Sequence, residues 1–430
     1  MSKNYNSIEV FIARTLSRFP STKQKLKKTY AYISYLFYKK KHKFNSNFEF
    51  SPILNEDYET FFGYYDKHPD NGNGLVLVHC SPHSTKLLPK DVNNIEINVF
   101  SINEKKFILD KPVLTTAFNW QQGSRTHWLD SDLFIYNNFN EVTQEYYASI
   151  YSISQQKIIK NIDRPVQDSY KNQFTLSICY KELARLRPDY GYFKHSNTSI
   201  SECPSIGIWK TDLKDVKTRL ILSLKDVIDF ESNSNSIIYE HKVNHIMISP
   251  NGKYFIFMHR YFNNAGTRFD RLILSDSNGS LIKVLASNGM VSHCCWYDDD
   301  TILAYLRDEA GKDSYWLIDI NSGDYTGFQP WCNISRGDGH PSVRNTLVLT
   351  DTYPNKSRMQ SLYLSPKNSE FEIKLGEFFH GFDFNGETRC DLHPRFSSCG
   401  NYIFFDSVFS GKRNLYFFDI TKIKEKISHG

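Results

Sequence analysis

Four histidines set the chemistry to look for. His245, His293, His340 and His393 each stand just ahead of a short apolar strand, in "HIMISPNGKYFIFMHR", "HCCWYDDDTILAYLR", "HPSVRNTLVLTD" and "HPRFSSCGNYIFFDS". Imidazole is the commonest metal ligand and the side chain whose charge changes nearest neutral pH, so a cluster of four suits metal binding, proton transfer or both. A second reading stands beside it. A repeat protein can reuse a histidine merely to tie one strand to the next by a hydrogen bond. The first reading requires the rings to meet at one pocket; the second leaves each buried separately.

The elements that must position these rings are repeats. After residue 50 the chain is a series of short strands and turns, and an apolar, often aromatic strand ending in a polar turn returns seven times. The copies are "IEINVFSINEK", "ASIYSISQQK", "SIGIWKTDLK", "RLILSDSNGS", "YWLIDINSGD", "SLYLSPKN" and "NLYFFDITK". A spacing of roughly 45 to 60 residues in an all-β chain marks four-stranded propeller blades, because one blade cannot bury both faces without neighbours. The expected fold is therefore all-β, a seven-bladed β-propeller over residues 51–425 with a basic helical arm over residues 1–50. The first strand of a blade is innermost, so histidines at its start should gather at one mouth of the channel, where a ligand pocket would form.

Composition agrees with strands and turns. Aromatic residues make up 15 % of the 430, with 27 Tyr and 32 Phe against 5 Met. The formal charge of +5 is localised: Val10 to Phe48 holds ten Lys or Arg and no Asp or Glu, and taking those ten away leaves −5 for the rest. The body carries no basic footprint, and no nucleic-acid partner is expected. The eight cysteines include no CxxC pair, which fits a reducing compartment better than a disulfide framework. No apolar run has the length of a membrane span, and the first residues lack the core of a secretion signal, so a cytoplasmic protein is expected.

The arm has its own pattern. In "STKQKLKKTYAYISYLFYKKKHKF" Leu26, Tyr30, Ile33 and Phe37 fall at helical spacing, Ser21 or Thr22 can cap, and lysines flank both ends. Residues 10–45 so read are an amphipathic helix for an anionic membrane surface, which would make the protein peripheral at an inner membrane, or a helix packed on the main domain with a solvated basic face.

Three segments resemble the oligogalacturonate lyases: "FFGYYDKHPD" (61–70), "NWQQGSRTHWL" (119–129) and "LSICYKELARLRPDYGY" (176–192). With the blade repeats, the similarity extends over nearly all the chain after residue 55. The resemblance implies cleavage of an anionic, uronate-type glycan by β-elimination at the channel mouth, with a divalent metal, typically manganese. It implies His245 as base, Arg187 and Arg125 as catalytic clamps, and His293 and His340 as metal ligands, with His393 joining the metal set as a substitute. By the same resemblance Arg185, Tyr65, Asp66, Lys67 and Gln122 would bind substrate. The family's Q-x-x-H-x-H ligand run is replaced by "GDGHPS", with Gly337 and Ser342 where two ligands are expected and Asp338, Asp391 or His393 as substitutes.

Two other functions remain open on the sequence. A basic arm suits an enzyme acting on a lipid-linked glycan at an inner membrane face, such as a glycosyltransferase or modifying enzyme of bacterial surface-polysaccharide synthesis, although no Gly-rich phosphate loop is present. A propeller can also be a scaffold without catalysis. No GxSxG, HExxH, Walker or EF-hand motif occurs.

Overall fold

The computed structural model describes residues 20–194, 206–230, 240–262, 267–332 and 337–428. Its strands form seven antiparallel sheets, the blades of a seven-bladed β-propeller. Blade 1 is built on Glu59–Phe61, Leu75–Ser81, Ile95–Ser101 and Lys106–Phe107, and blade 4 on Glu240–Ile248, Tyr254–Phe262, Arg268–Asp276 and Leu281–Ala286. Blade 5 opens with Val291–Trp296, blade 6 with Ser342–Arg344 and blade 7 with Arg395–Phe396. The aromatic strand that repeats in the sequence is the third strand of every blade.

A blade sandwiched between two others buries both faces, so its central strands read as unbroken apolar runs instead of alternating. Phe255, Ile256, Phe257 and Met258 are consecutive and all buried. The ring is closed from the N-terminal side: Phe50–Ile53 pairs with Asn414–Asp419 and supplies the outermost strand of blade 7, with Phe50 opposite Phe418 and Ile53 opposite Leu415. Phe50 contacts the rings of Phe378, Phe405, Phe409, Tyr416 and Phe418. Just before it, Phe44–Asn45 adds a fifth strand to blade 6.

Blade 1 departs from the pattern. Its innermost strand stops at Phe61, and the chain resumes pairing only at Asp70, which bridges to Val76. The intervening residues turn inward and carry the buried Tyr64 and Tyr65. Gly63 makes the turn possible at φ +115°, where an added Cβ would lie 2.7 Å from the Gln122 carbonyl carbon. Asp406 of blade 7 accepts from both Phe62 N (3.0 Å) and Gly63 N (3.1 Å), which pins the excursion to the closing blade.

The helix Pro20–Tyr38 lies against blade 6, with Ser34 buried and Tyr35 packed on Phe379 and Phe382. Ser21 and Thr22 fall inside this helix, not ahead of it, and residues 10–19 of the expected arm lie outside the described residues. Among the described residues no helix is long and apolar enough to cross a membrane, and every cysteine is a free thiol.

Candidate functional site

His340 and His393 precede the first strands of their blades, as expected. His245 and His293 do not. Each lies within its innermost strand at a register slip, between the Asn244–Met258 and Met247–Ile256 pairs in blade 4 and between the Val291–Leu306 and Cys294–Ala304 pairs in blade 5. A bulge bends the strand and re-aims one side chain, here toward the axis. His245 takes φ +52° and His393 φ +42°, left-handed conformations that are unfavourable for histidine and are held by the surrounding packing.

The four rings converge. Centroids of His293 and His340 are 4.1 Å apart, and those of His340 and His393 4.4 Å apart. The tyrosine excursion fills the space among them: Tyr65 lies 5.2 Å from His340 and 5.8 Å from His293, and Tyr64 lies 5.0 Å from His393 and 5.3 Å from His245. Tyr65 Oη donates to Cys294 O, which fixes its orientation.

Three of the buried groups are each tied on one side and left open on the other. His340 Nδ1 meets Asp351 at 2.9 Å, His393 Nδ1 donates to Gly63 O at 2.9 Å, and Asp391 Oδ2 accepts from Arg389 Nε at 2.7 Å. Their remaining atoms, His340 Nε2, His393 Nε2 and Asp391 Oδ1, are buried without a hydrogen-bond partner. His340, Asp391 and His393 bring their ligand atoms within 4.8 Å of one another. Orphaned buried donor atoms supported from behind by carboxylate and carbonyl partners are what a metal site requires. The donor set of two imidazoles and one carboxylate fits a divalent cation. His293 stands beside this set rather than in it: only the ligand atoms of His340, Asp391 and His393 group within 4.8 Å among the described residues, and its Nδ1 meets Asp338 at 3.1 Å. Asp391 thus takes the place expected of His293, with Gly337 and Ser342 contributing no ligand.

His245 faces a cavity of about 580 Å³ at the same mouth, lined also by Arg187, Arg260, Arg268, His293 and Tyr353. Its Nδ1 lies 2.9 Å from Tyr64 Oη. Burial, reinforced by the positive charge of Arg187, holds its pKa well below the usual histidine range, so at neutral pH it is an uncharged proton acceptor. His393 is likewise held neutral by burial and by His340. For His340 burial opposes the charge, but Asp351 outweighs it and raises the pKa. Asp391 is ionised: burial works against that state, yet Arg389 and His340 pull its pKa down.

The expected substrate-binding residues divide. Arg187 lines the cavity, its side chain 27 % exposed, with Nε on Asp189 at 2.9 Å and its guanidinium over Tyr190. Arg125 is buried and engaged bidentately by Asp66 at 3.0 and 2.7 Å, with Nε also on Gln167 O. Lys67 is paired with Asp168, and Arg185 with Glu182 and Glu240 on the outside of the short helix Tyr180–Leu186. Gln122 is buried with its Oε1 unpartnered. The guanidinium and ammonium groups of Arg125, Arg185 and Lys67 are thus committed to carboxylates of the fold, whereas Arg187 keeps an open side. Sequence reading missed Tyr64, Tyr190, Tyr353, Arg260, Arg268 and Arg389; none belongs to a repeated position: Arg260 and Arg268 come from strands of blade 4, Tyr64, Tyr190 and Tyr353 from connections within blades 1, 3 and 6, and Arg389 from the link between blades 6 and 7.

No protein-family model and no curated protein sequence matches the chain. Among solved structures, an oligogalacturonate lyase in complex with manganese is similar at a TM-score of 0.59 and 12 % identity, over 89 % of this chain and 95 % of that one. An oligogalacturonate lyase from Vibrio parahaemolyticus is similar at 0.54 and 13 %, over 89 % and 99 %. The β-propeller domain of the Trilobed protease from Pyrococcus furiosus follows at 0.50 and 10 %, over 84 % and 96 %. Identities this low establish a shared fold.

Proposed function

We propose that this propeller is a carbohydrate-active enzyme that cleaves an anionic, uronate-type glycan by β-elimination at its channel mouth. One observation carries the reading: three orphaned donor atoms converge beside a neutral histidine that faces an arginine-lined cavity. In this reaction the proton on C5 of the uronate is removed, the C4–O bond breaks, and the electron pair of the C5–H bond becomes the C4–C5 double bond. The leaving oxygen takes up a proton.

The C5 proton is barely acidic until the adjacent carboxylate is neutralised; His340, His393 and Asp391 would hold a divalent cation such as manganese, which would supply that neutralisation. In the tautomer whose Nδ1–H donates to Tyr64 Oη, 2.9 Å away, His245 keeps its Nε2 lone pair for the C5 proton. Arg187 offers its open side to the substrate carboxylate, a planar fork matching a planar anion. The tyrosine excursion and buried histidines keep bulk water from the floor of the site. The substrate is an oligosaccharide or the glycan of a lipid-linked precursor.

The test is the ultraviolet absorbance of the unsaturated product on a panel of uronate oligosaccharides, with and without added manganese. A rise that needs the metal and disappears in His245→Ala supports the reading. No rise on any member of the panel with metal-loaded protein removes it.

A further inference from the structure

The helix Pro20–Tyr38 presents two opposed faces. Ala31, Ser34 and Tyr35 turn toward the propeller, where Tyr35 meets Phe379 and Phe382 at 5.7 and 5.5 Å. The other side carries Leu26, Ile33, Leu36 and Phe37, exposed by 47, 48, 49 and 82 %. Isolated exposed apolar residues are ordinary, but four large ones on one side of one helix form a patch that calls for a cover.

Charge decides what covers it. Lys28 is exposed on the helix and Lys39, Lys41 and Lys43 are exposed just beyond its end, while Lys40 is taken by Glu377. The whole stretch from Val10 to Phe48 contains no carboxylate. A second copy of this chain seated on the strip by a twofold axis would set lysine against lysine, which costs rather than stabilises. An anionic bilayer surface meets both demands, apolar residues entering at headgroup depth and lysines resting over phosphates.

The position of the helix adds a consequence. Its end packs on the turn between the second and third strands of blade 6, where Lys356 lies over the Tyr38 ring and Arg358 over Phe382. Tyr353 of that same turn lines the cavity, and the link from Phe379 to Arg395 carries both Phe382 and the metal-set residues Asp391 and His393. The apolar strip and the channel mouth therefore belong to one face of the propeller.

We propose that this chain docks on an anionic lipid bilayer through Leu26, Ile33, Leu36, Phe37 and the surrounding lysines, bringing the channel mouth close to the membrane surface. The docking does not depend on which reaction the mouth performs.

Co-sedimentation of the full chain with vesicles tests it, comparing phosphatidylcholine alone with phosphatidylcholine containing phosphatidylglycerol. The expected result is pelleting with the anionic vesicles only, weakened by salt, and reduced about tenfold or more by Ile33→Asp with Phe37→Asp. Lys39→Glu, Lys41→Glu and Lys43→Glu together should act in the same direction. Both sets replace exposed residues, and unchanged thermal melting would show that the propeller is intact. Absence of pelleting with either vesicle overturns the proposal, as does pelleting indifferent to both sets of variants. Self-association without vesicle binding, abolished by Ile33→Asp with Phe37→Asp, overturns it in favour of a second copy.

Discussion

At the scale of single residues, the contrast between Arg125 and Arg187 separates structure from chemistry. Arg125 and Asp66 form a buried pair whose attraction holds the guanidinium pKa above its ordinary value even though burial opposes the charge. Removing one partner leaves the other uncompensated, so Asp66→Ala should lower stability by about 3–5 kcal/mol in denaturant titration. Arg187→Met should cost less stability than that, because its pair with Asp189 is partly exposed, and should mainly reduce turnover of a uronate substrate. A different prediction concerns His245. A general base contributes about 10²–10⁴ in rate, so His245→Ala should lose that much in kcat/KM. Because burial pushes its pKa down, His245 remains neutral well below pH 6.5. The acid limb of the pH–rate profile should therefore lie below pH 6.5; a limb at or above that value would exclude His245 as its source.

Elements, in this fold, place residues that no local pattern foretells. The third strand of each blade was legible because an apolar strand ending in a polar turn recurs at nearly constant spacing, and burial on both faces enforces that pattern. The histidines were legible as repeats, and their convergence follows from the innermost position of first strands. The bulges that aim His245 and His293 were not legible, since a bulge depends on which residues the partner strand presents. Nor was the tyrosine excursion: Tyr65, Asp66 and Lys67 were marked only through the family resemblance, and among local signals only Gly63 hints that the chain turns inward. Asp391 was named only as one of several substitute ligands and Arg389 not at all, because both lie in a connecting segment without periodicity whose place at the site depends on the ring being closed. Asp406 holds that excursion, bonding Phe62 N, Gly63 N and Arg395, all buried. Asp406→Ala would strand Arg395 and two amides, and a loss of about 3–5 kcal/mol is expected, together with weaker metal retention as His393 loses its fixed acceptor at Gly63.

For the molecule as a whole, buried neutral histidines set the pH range of the fold. Burial lowers His79 and His380 to about 3 and His259 to about 2. Between those values and about 6.5 the unfolded chain binds more protons than the native one, so stability is complete above the histidine range and falls as pH drops. The slope is about 1.4 kcal/mol per pH unit for each histidine. Glu377, brought to about 2 by Lys374, Lys40 and His42 against the effect of its burial, adds a loss of the same sign below its ordinary range. His340, raised by Asp351, acts in the opposite direction at higher pH. Thermal melting from pH 7 down to pH 5 should thus show a steep decline, and a flat profile would contradict this assignment of neutral histidines.

The account rests on His340, His393 and Asp391 forming a single metal site at the mouth. Elemental analysis of the manganese-equilibrated, dialysed protein tests it most directly. Stoichiometric metal in the native chain, lost in His340→Ala with His393→Ala while the propeller still melts cooperatively, is the predicted result. A native chain without metal, or a double variant that retains it, would contradict the account.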